Sequence, residues 1–118
     1  KANMRIVGAT EYALVLYRDK LPKFNNDGRM IMNWFPWEVD SRYPKIHPTQ
    51  KPMPVLKRLI EIFTDAGDVV IDPCAGSAST LRAAMELGRS AYGFEIKKDM
   101  YRTAQEQMLS VFDMALDI

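Results

Sequence analysis

Between residues 54 and 64 the apolar residues Val55, Leu56, Leu59, Ile60, Ile62 and Phe63 fall on one broad helical stripe, with Lys57, Arg58 and Glu61 on the other face. This spacing predicts an amphipathic helix. Prolines suit its first turn, and Gly67 suits the residue just past its end. Val69-Val70-Ile71 is wholly apolar and β-branched, the pattern of a central parallel strand covered on both faces. Residues 79–87 predict a second helix packing Leu81, Ala84 and Met85 and closed by Gly88. Residues 91–94 predict a second strand. Asp99 is placed to cap a last helix with Met100, Ala104, Met108, Val111, Phe112 and Ala115 on one face. Upstream, residues 11–18 are aliphatic, aromatic and short enough for a buried strand. The stretch 19–50 carries Pro22, Asn25-Asn26-Asp27-Gly28, Pro36, Pro44 and Pro48 and reads as one long irregular loop. Its aromatic residues Trp34, Phe35 and Trp37 either pin the loop to the core or meet a ligand or another chain. The order strand, loop, helix, strand, helix, strand, helix predicts an open α/β sheet with parallel strands and a right-handed crossover.

The composition fits this picture. With 118 residues, 47% hydrophobic and 26% charged, the chain is expected to be one globular domain. No apolar run is long enough to span a membrane, and no charged-then-apolar leader opens the sequence. A single cysteine, Cys74, cannot form an internal disulfide, so a reducing, cytoplasmic setting is expected. Lys and Arg outnumber Asp and Glu nine to five up to Pro52, and fall behind seven to ten after it. A mildly basic first half can face phosphates, although a solvated surface of mixed charge accounts for it more simply. One histidine and one cysteine give no ligand set for a metal.

The chemistry concentrates in Asp72-Pro73-Cys74-Ala75-Gly76-Ser77-Ala78-Ser79-Thr80. This segment lies where a strand gives way to a helix, the edge at which doubly wound sheets bind ligands. Glu95, at the end of the next strand, is placed to accept hydrogen bonds from the vicinal hydroxyls of a ribose. A nicotinamide fingerprint needs three spaced glycines, whereas here Gly76 stands alone and Ala78 follows it. No P-loop lysine is present either. A ribose site without a phosphate cradle makes S-adenosylmethionine a natural candidate, with a purely structural βαβ unit as the alternative. Upstream, His47-Pro48-Thr49-Gln50-Lys51-Pro52 leads into the first helix, whose free N–H groups together with Lys51 would favour a carboxylate, although from spacing alone His47 reads as a hydrogen-bonded loop histidine and Lys51 as a solvated charge.

These two segments, with Gly88-Arg89 and Gly93-Phe94-Glu95 after them and Tyr101 beyond, resemble the amino-DNA methyltransferases. More narrowly they resemble the adenine-N6 methylases in which the catalytic motif precedes the cofactor motif. The resemblance is close from Arg42 to about Leu109 and looser back to residues 11–18. It implies a partial doubly wound, Rossmann-like methyltransferase sheet with flanking helices, and S-adenosyl-L-methionine as cofactor. By position, Asp72, Pro73, Cys74, Gly76 and Ser77 would line the methionine moiety. Glu95 would hold the ribose, Ile96 would pack on the adenine, and Thr49 and Lys51 would help hold the methionine end. Cys74 stands where the family has phenylalanine. Ala78 replaces a glycine, at a cost of about 1 kcal/mol or more if that position needs positive φ.

The family's Asp/Asn/Ser-Pro-Pro-aromatic motif, which accepts hydrogen bonds from the amino group of a flipped adenine, is absent from the sequence. Asn33-Trp34-Phe35-Pro36-Trp37 has the wrong spacing. By the family's order the motif is expected upstream of Lys1, so the resemblance assigns no catalytic residue within the chain itself. It implies instead a single domain, 1–118, that is the carboxyl-terminal portion of a larger methyltransferase. This domain divides into the 19–50 loop and a 51–118 cofactor-binding unit. Expected partners are double-stranded DNA, an amino-terminal portion of the same protein, and a second copy through an unpaired sheet edge. The setting would be DNA methylation in bacteria or phages, with restriction-modification as one context, and the chain alone would be silent. Alternatives are a non-catalytic dimerisation or DNA-binding remnant and a methyltransferase acting on another substrate.

Overall fold

The computed structural model describes residues 8–111. Its elements run α1 (Met53–Phe63), β1 (Val69–Asp72), α2 (Ser79–Glu86), β2 (Ser90–Gly93) and α3 (Lys98–Thr103), the last continuing into a π-helical stretch, Ala104–Leu109. The strands β1 and β2 form a two-stranded parallel sheet in which Val70 pairs with Ala91 and Ile71 with Tyr92.

Helix α1 starts where the prolines predict, with Pro52 extended at its cap, and buries Met53, Ile60 and Ile62. It ends at Thr64, whose N–H and hydroxyl both donate to the Ile60 carbonyl at 3.0 and 2.6 Å. Arg89 closes the same end by donating to the Thr64 carbonyl and hydroxyl at 2.8 and 2.9 Å. The helix terminus is thereby tied to the start of β2, and its carbonyls are satisfied. Helix α2 buries Leu81, Ala83 and Ala84 rather than Met85. Those small residues let it lie close over the sheet. A Cβ on Gly93 would sit 2.6 Å from Leu81 Cδ1 and 3.0 Å from the Ala75 Cβ, so β2 passes directly beneath α2 at a position where any side chain would force Leu81 to move.

The core lies on this single face of the sheet. Met53, Ile60, Leu81, Ala83, Ala84, Ala104 and Met108 form it, with Val70 and Ala91 packed against it. The expectation of a strand covered on both faces is not met. Val69, Ile71, Tyr92 and Phe94, which alternate onto the other face, are 54%, 63%, 62% and 64% exposed. Among the described residues nothing lies over them, and β1 has one unpaired edge.

Three other expectations are corrected. Residues 11–18 form no strand. Tyr12, Leu14 and Leu16 are at least 84% exposed, because among the described residues no neighbouring strand supplies a ladder. Asp99 lies in the first turn of α3 and not at its cap, which is Lys97 without a side-chain capping bond. On the last helix, Ala104 and Met108 are buried as expected but Val111 is 47% exposed, since the π-helical stretch shifts the stripe out of phase. Phe112 and Ala115 lie outside the described residues. So does Lys1, the residue upstream of which the Pro-Pro-aromatic motif is expected.

The 19–50 loop is irregular, as expected, but its anchor is not the tryptophans. Asn25 donates its amide to the Thr64 carbonyl and to Asp65, each at 2.9 Å, and its N–H to the Ile62 carbonyl at 2.7 Å. Phe24 packs edge-on to Phe63 at 6.4 Å. Lys23 bridges Asp65 and Asp68 at 3.0 and 2.7 Å; the Lys23 bond holds the Asp65 carboxyl below its ordinary value, while Asp68 is lowered first by the Asp65 N–H it accepts and then by Lys23. At the other end Tyr43 donates to Glu86, which also pairs with Lys57 at 2.7 Å and Arg82 at 3.1 Å. The Arg82 guanidinium stacks 4.8 Å from the Tyr43 ring centre. This cluster joins the loop, α1 and α2 just before the His47–Lys51 turn.

Two expectations follow. Gly93→Val should destabilise the chain by about 1–3 kcal/mol in urea unfolding, and adding Leu81→Ala, itself destabilising, should make the pair non-additive in the favourable direction. Burial alone pushes the Glu86 carboxyl up, but the bonds from Lys57, Tyr43 and Arg82 outweigh it and hold the group below its ordinary 4.5. Its folded value lies below its unfolded one, so its contribution is present above pH 4.5 and lost as pH falls through the folded value. Glu86→Gln should flatten that acidic limb of a stability–pH profile, by less than about 1 kcal/mol for a near-surface cluster.

Candidate functional site

Strand β1 ends in Asp72, and its carboxylate immediately turns the chain by accepting the Cys74 N–H at 3.0 Å. The ladder continues one step past the strands, with Phe94 donating to the Asp72 carbonyl at 3.1 Å and Ala75 donating to Phe94 at 2.8 Å. The chain then bends through two left-handed residues, Gly76 (φ 54°) and Ala78 (φ 62°), before α2 begins. Glu95 locks the bend. One carboxylate oxygen accepts the Gly76 N–H at 3.0 Å, the other the Lys97 N–H at 2.9 Å. The two strand ends are therefore joined through one side chain, at the carboxyl edge of the sheet.

A cleft of about 300 Å³ opens there. Seven of the residues singled out from sequence line it together: Thr49, Lys51, Asp72, Cys74, Gly76, Ser77 and Glu95. Pro73 and Ile96 do not line it; Ile96, one residue past Glu95, is 94% exposed. No side chain caps α2. Ala78 is the cap residue, and the buried Ser77 and Ser79 hydroxyls bond each other at 3.1 Å. Ala78 is itself only 2% exposed and part of the core, so the methyl that strains its backbone also contributes apolar burial.

The opposite wall comes from the turn before α1. The His47 Nδ1 accepts the Thr49 N–H at 3.2 Å and lies 2.9 Å from the Thr49 hydroxyl, while Gln50 ties the turn together by donating to the Pro44 carbonyl at 3.0 Å. Lys51 stands at the rim. Its ammonium donates to Glu11 at 2.6 Å and lies 5.5 Å from the Trp37 ring centre. A second cleft, of about 660 Å³, adjoins the first and shares Thr49, Gln50 and Lys51 with it. Sequence patterns do not assign Met100, Lys97 or Gln50 to the site. Met100 reads as an ordinary core position on a helical stripe, and no local signal marks the other two.

The chain matches the DNA methylase family model over residues 5–106. It is 33% identical over 95 residues to the type II methyltransferase M2.DpnII of Streptococcus pneumoniae, covering 78% of this chain and 35% of that protein. It is 34% identical over 99 residues to the DNA adenine methyltransferase YhdJ of Escherichia coli, covering 76% and 32%. Among solved structures, a complex of M1.HpyAVI with SAM superposes with a TM-score of 0.65 at 26% identity, covering 77% of this chain and 46% of that one. The chain thus spans about a third of the length of these curated relatives. With the family model running across nearly its whole length, this chain belongs to the DNA methylases.

Proposed function

We propose that this chain is the cofactor-binding portion of a DNA adenine-N6 methyltransferase that takes its methyl group from S-adenosylmethionine. The observation that carries this reading is the Glu95 carboxylate braced across the Gly76 bend at the mouth of a cleft on the carboxyl edge of the sheet. The donor set suits such a cofactor. Each oxygen of Glu95 uses one lone pair on a backbone N–H and keeps another for a ribose hydroxyl. Gly76 leaves the bend open, and Lys51 offers an ammonium to a carboxylate across the cleft. When bound, the cofactor supplies an electrophilic methyl group on a sulfonium.

In this reading Glu95 orients the ribose and Ile96, exposed beside it, packs on the adenine. Asp72, Cys74, Gly76 and Ser77 border the methionine arm, Pro73 shapes the turn between them without lining the cleft, and Thr49 with Lys51 holds its end. The groups that accept the amino protons of the target adenine lie upstream of Lys1, in a Pro-Pro-aromatic motif of the larger domain. A strand of that domain would pair with the free edge of β1, and its further elements would cover Val69, Ile71, Tyr92 and Phe94. Double-stranded DNA is the substrate of the assembled enzyme, and this chain alone is inactive.

Titration calorimetry with S-adenosylmethionine should show binding, and Glu95→Gln should weaken it about tenfold or more, since two hydrogen bonds to a charged acceptor are disturbed. Absence of binding by the wild-type chain would sink the cofactor assignment. Robust methyl transfer to duplex DNA by these residues alone would overturn the division of labour. Ala78→Gly tests the strained bend. Relief of about 1–2 kcal/mol of left-handed strain is opposed by loss of a buried methyl and by glycine's extra unfolded-state entropy. Stability in urea should therefore shift by less than about 1 kcal/mol in either direction.

A further inference from the structure

The Lys51 side chain is held from two sides. Glu11, forty residues earlier in the sequence, accepts a hydrogen bond from its ammonium at 2.6 Å, and the Trp37 ring lies 5.5 Å from that ammonium. Neither contact makes sense as a staple of the fold. Both members of the ion pair are about half exposed, at 51% and 54%, and exposed pairs add little to stability. Every residue from 8 to 20 is exposed, so Glu11 brings no buried surface with it. Trp37 is also half exposed and contributes nothing to the core around α2. What the two contacts do share is the ammonium that stands where the two clefts meet.

We propose that Glu11 and Trp37 are positioning residues that hold Lys51 ready for the carboxylate at the methionine end of the cofactor, an inference that rests on the adenosyl-site reading above. A lysine ammonium has three N–H donors. Glu11 takes one, the aromatic face stabilises the charge without competing for an anion, and donor capacity remains for a second carboxylate. An unrestrained lysine must give up several rotatable bonds when it grips a ligand. Held by Glu11 and Trp37, Lys51 has given up much of that freedom beforehand, and the ligand meets a preorganised donor. Neither partner need touch the cofactor.

The test compares two ligands on the full chain by calorimetry. S-adenosylhomocysteine carries the amino-acid end; 5′-methylthioadenosine has the same adenosyl group without it. Glu11→Ala and Trp37→Leu should weaken S-adenosylhomocysteine about two- to tenfold, the range expected for one immobilised side chain, and leave methylthioadenosine unchanged. Glu11→Gln and Trp37→Phe, which retain an acceptor and a ring, should recover part of the loss. Equal losses for both ligands would mark a structural role and overturn the proposal. Tighter S-adenosylhomocysteine binding by Glu11→Ala would show Glu11 to be a competitor, and would overturn it too, as would indifference to all four substitutions. A wild-type chain that binds neither ligand overturns the adenosyl reading itself, and this inference with it.

Discussion

One carboxylate governs the geometry of the site. Glu95 reaches back from the end of β2 to the Gly76 N–H and forward to its own Lys97 N–H. Without it the bend after β1 would have a backbone donor facing an open cleft and no contact with the second strand beyond the ladder. Carboxylate acceptors make stronger hydrogen bonds than neutral ones, and two such bonds hold both oxygens in fixed positions. On the proposed reading, a ligand with two adjacent hydroxyls would meet acceptors whose spacing is already set. The same side chain would then both stabilise the turn and present the binding surface.

That turn works only because α2 sits low over the sheet. Leu81 occupies the space a side chain at position 93 would need, and Ala83 and Ala84 bring the helix backbone close. The close approach shortens the path between β1 and α2, so the chain must reverse within a few residues. Left-handed conformations at Gly76 and Ala78 achieve the reversal. An alanine is tolerated at the second because its methyl points into the core that the helix has created. Packing above the sheet and strain below α2 are two sides of one constraint.

Much of this is legible in the sequence where the signal is local. The stripe of α1, the β-branched run of β1, the glycine bend and the acid after β2 each depend on residues within a few positions of one another. The failures depend on distant neighbours. Residues 11–18 have a strand's composition, but a strand exists only with a partner to bond, and among the described residues there is none. Val69 and Ile71 read as buried on both faces for the same reason: their side chains report the surroundings they suit, and only one of the two faces is covered here. The tryptophans of the loop can be read either way, and Asn25, a polar residue with turn character, is the anchor through bonds to the end of α1. The meeting of Glu11, Trp37 and Lys51 has no sequence signal at all, because irregular chain carries no periodicity from which a contact can be inferred.

The open face of the sheet and the cleft at its edge are then linked. In a parallel sheet the carboxyl ends of neighbouring strands lie side by side, and a third strand on the free edge of β1 would end next to Asp72 and the cleft it borders. Residues placed at the end of such a strand would face the part of the cleft lined by Lys51, the methionine end on the proposed reading, where the second, larger cleft begins. The apolar side chains that face solvent on β1 and β2 are what a larger domain would bury in bringing that strand into register. On the proposed reading the acceptor must reach the methyl carbon from the side opposite the departing sulfur, and the larger cleft shares the wall that Thr49, Gln50 and Lys51 form. A strand added at the free edge of β1, as proposed, would complete the sheet and border the cleft at once, so sheet pairing and acceptor entry would be coupled.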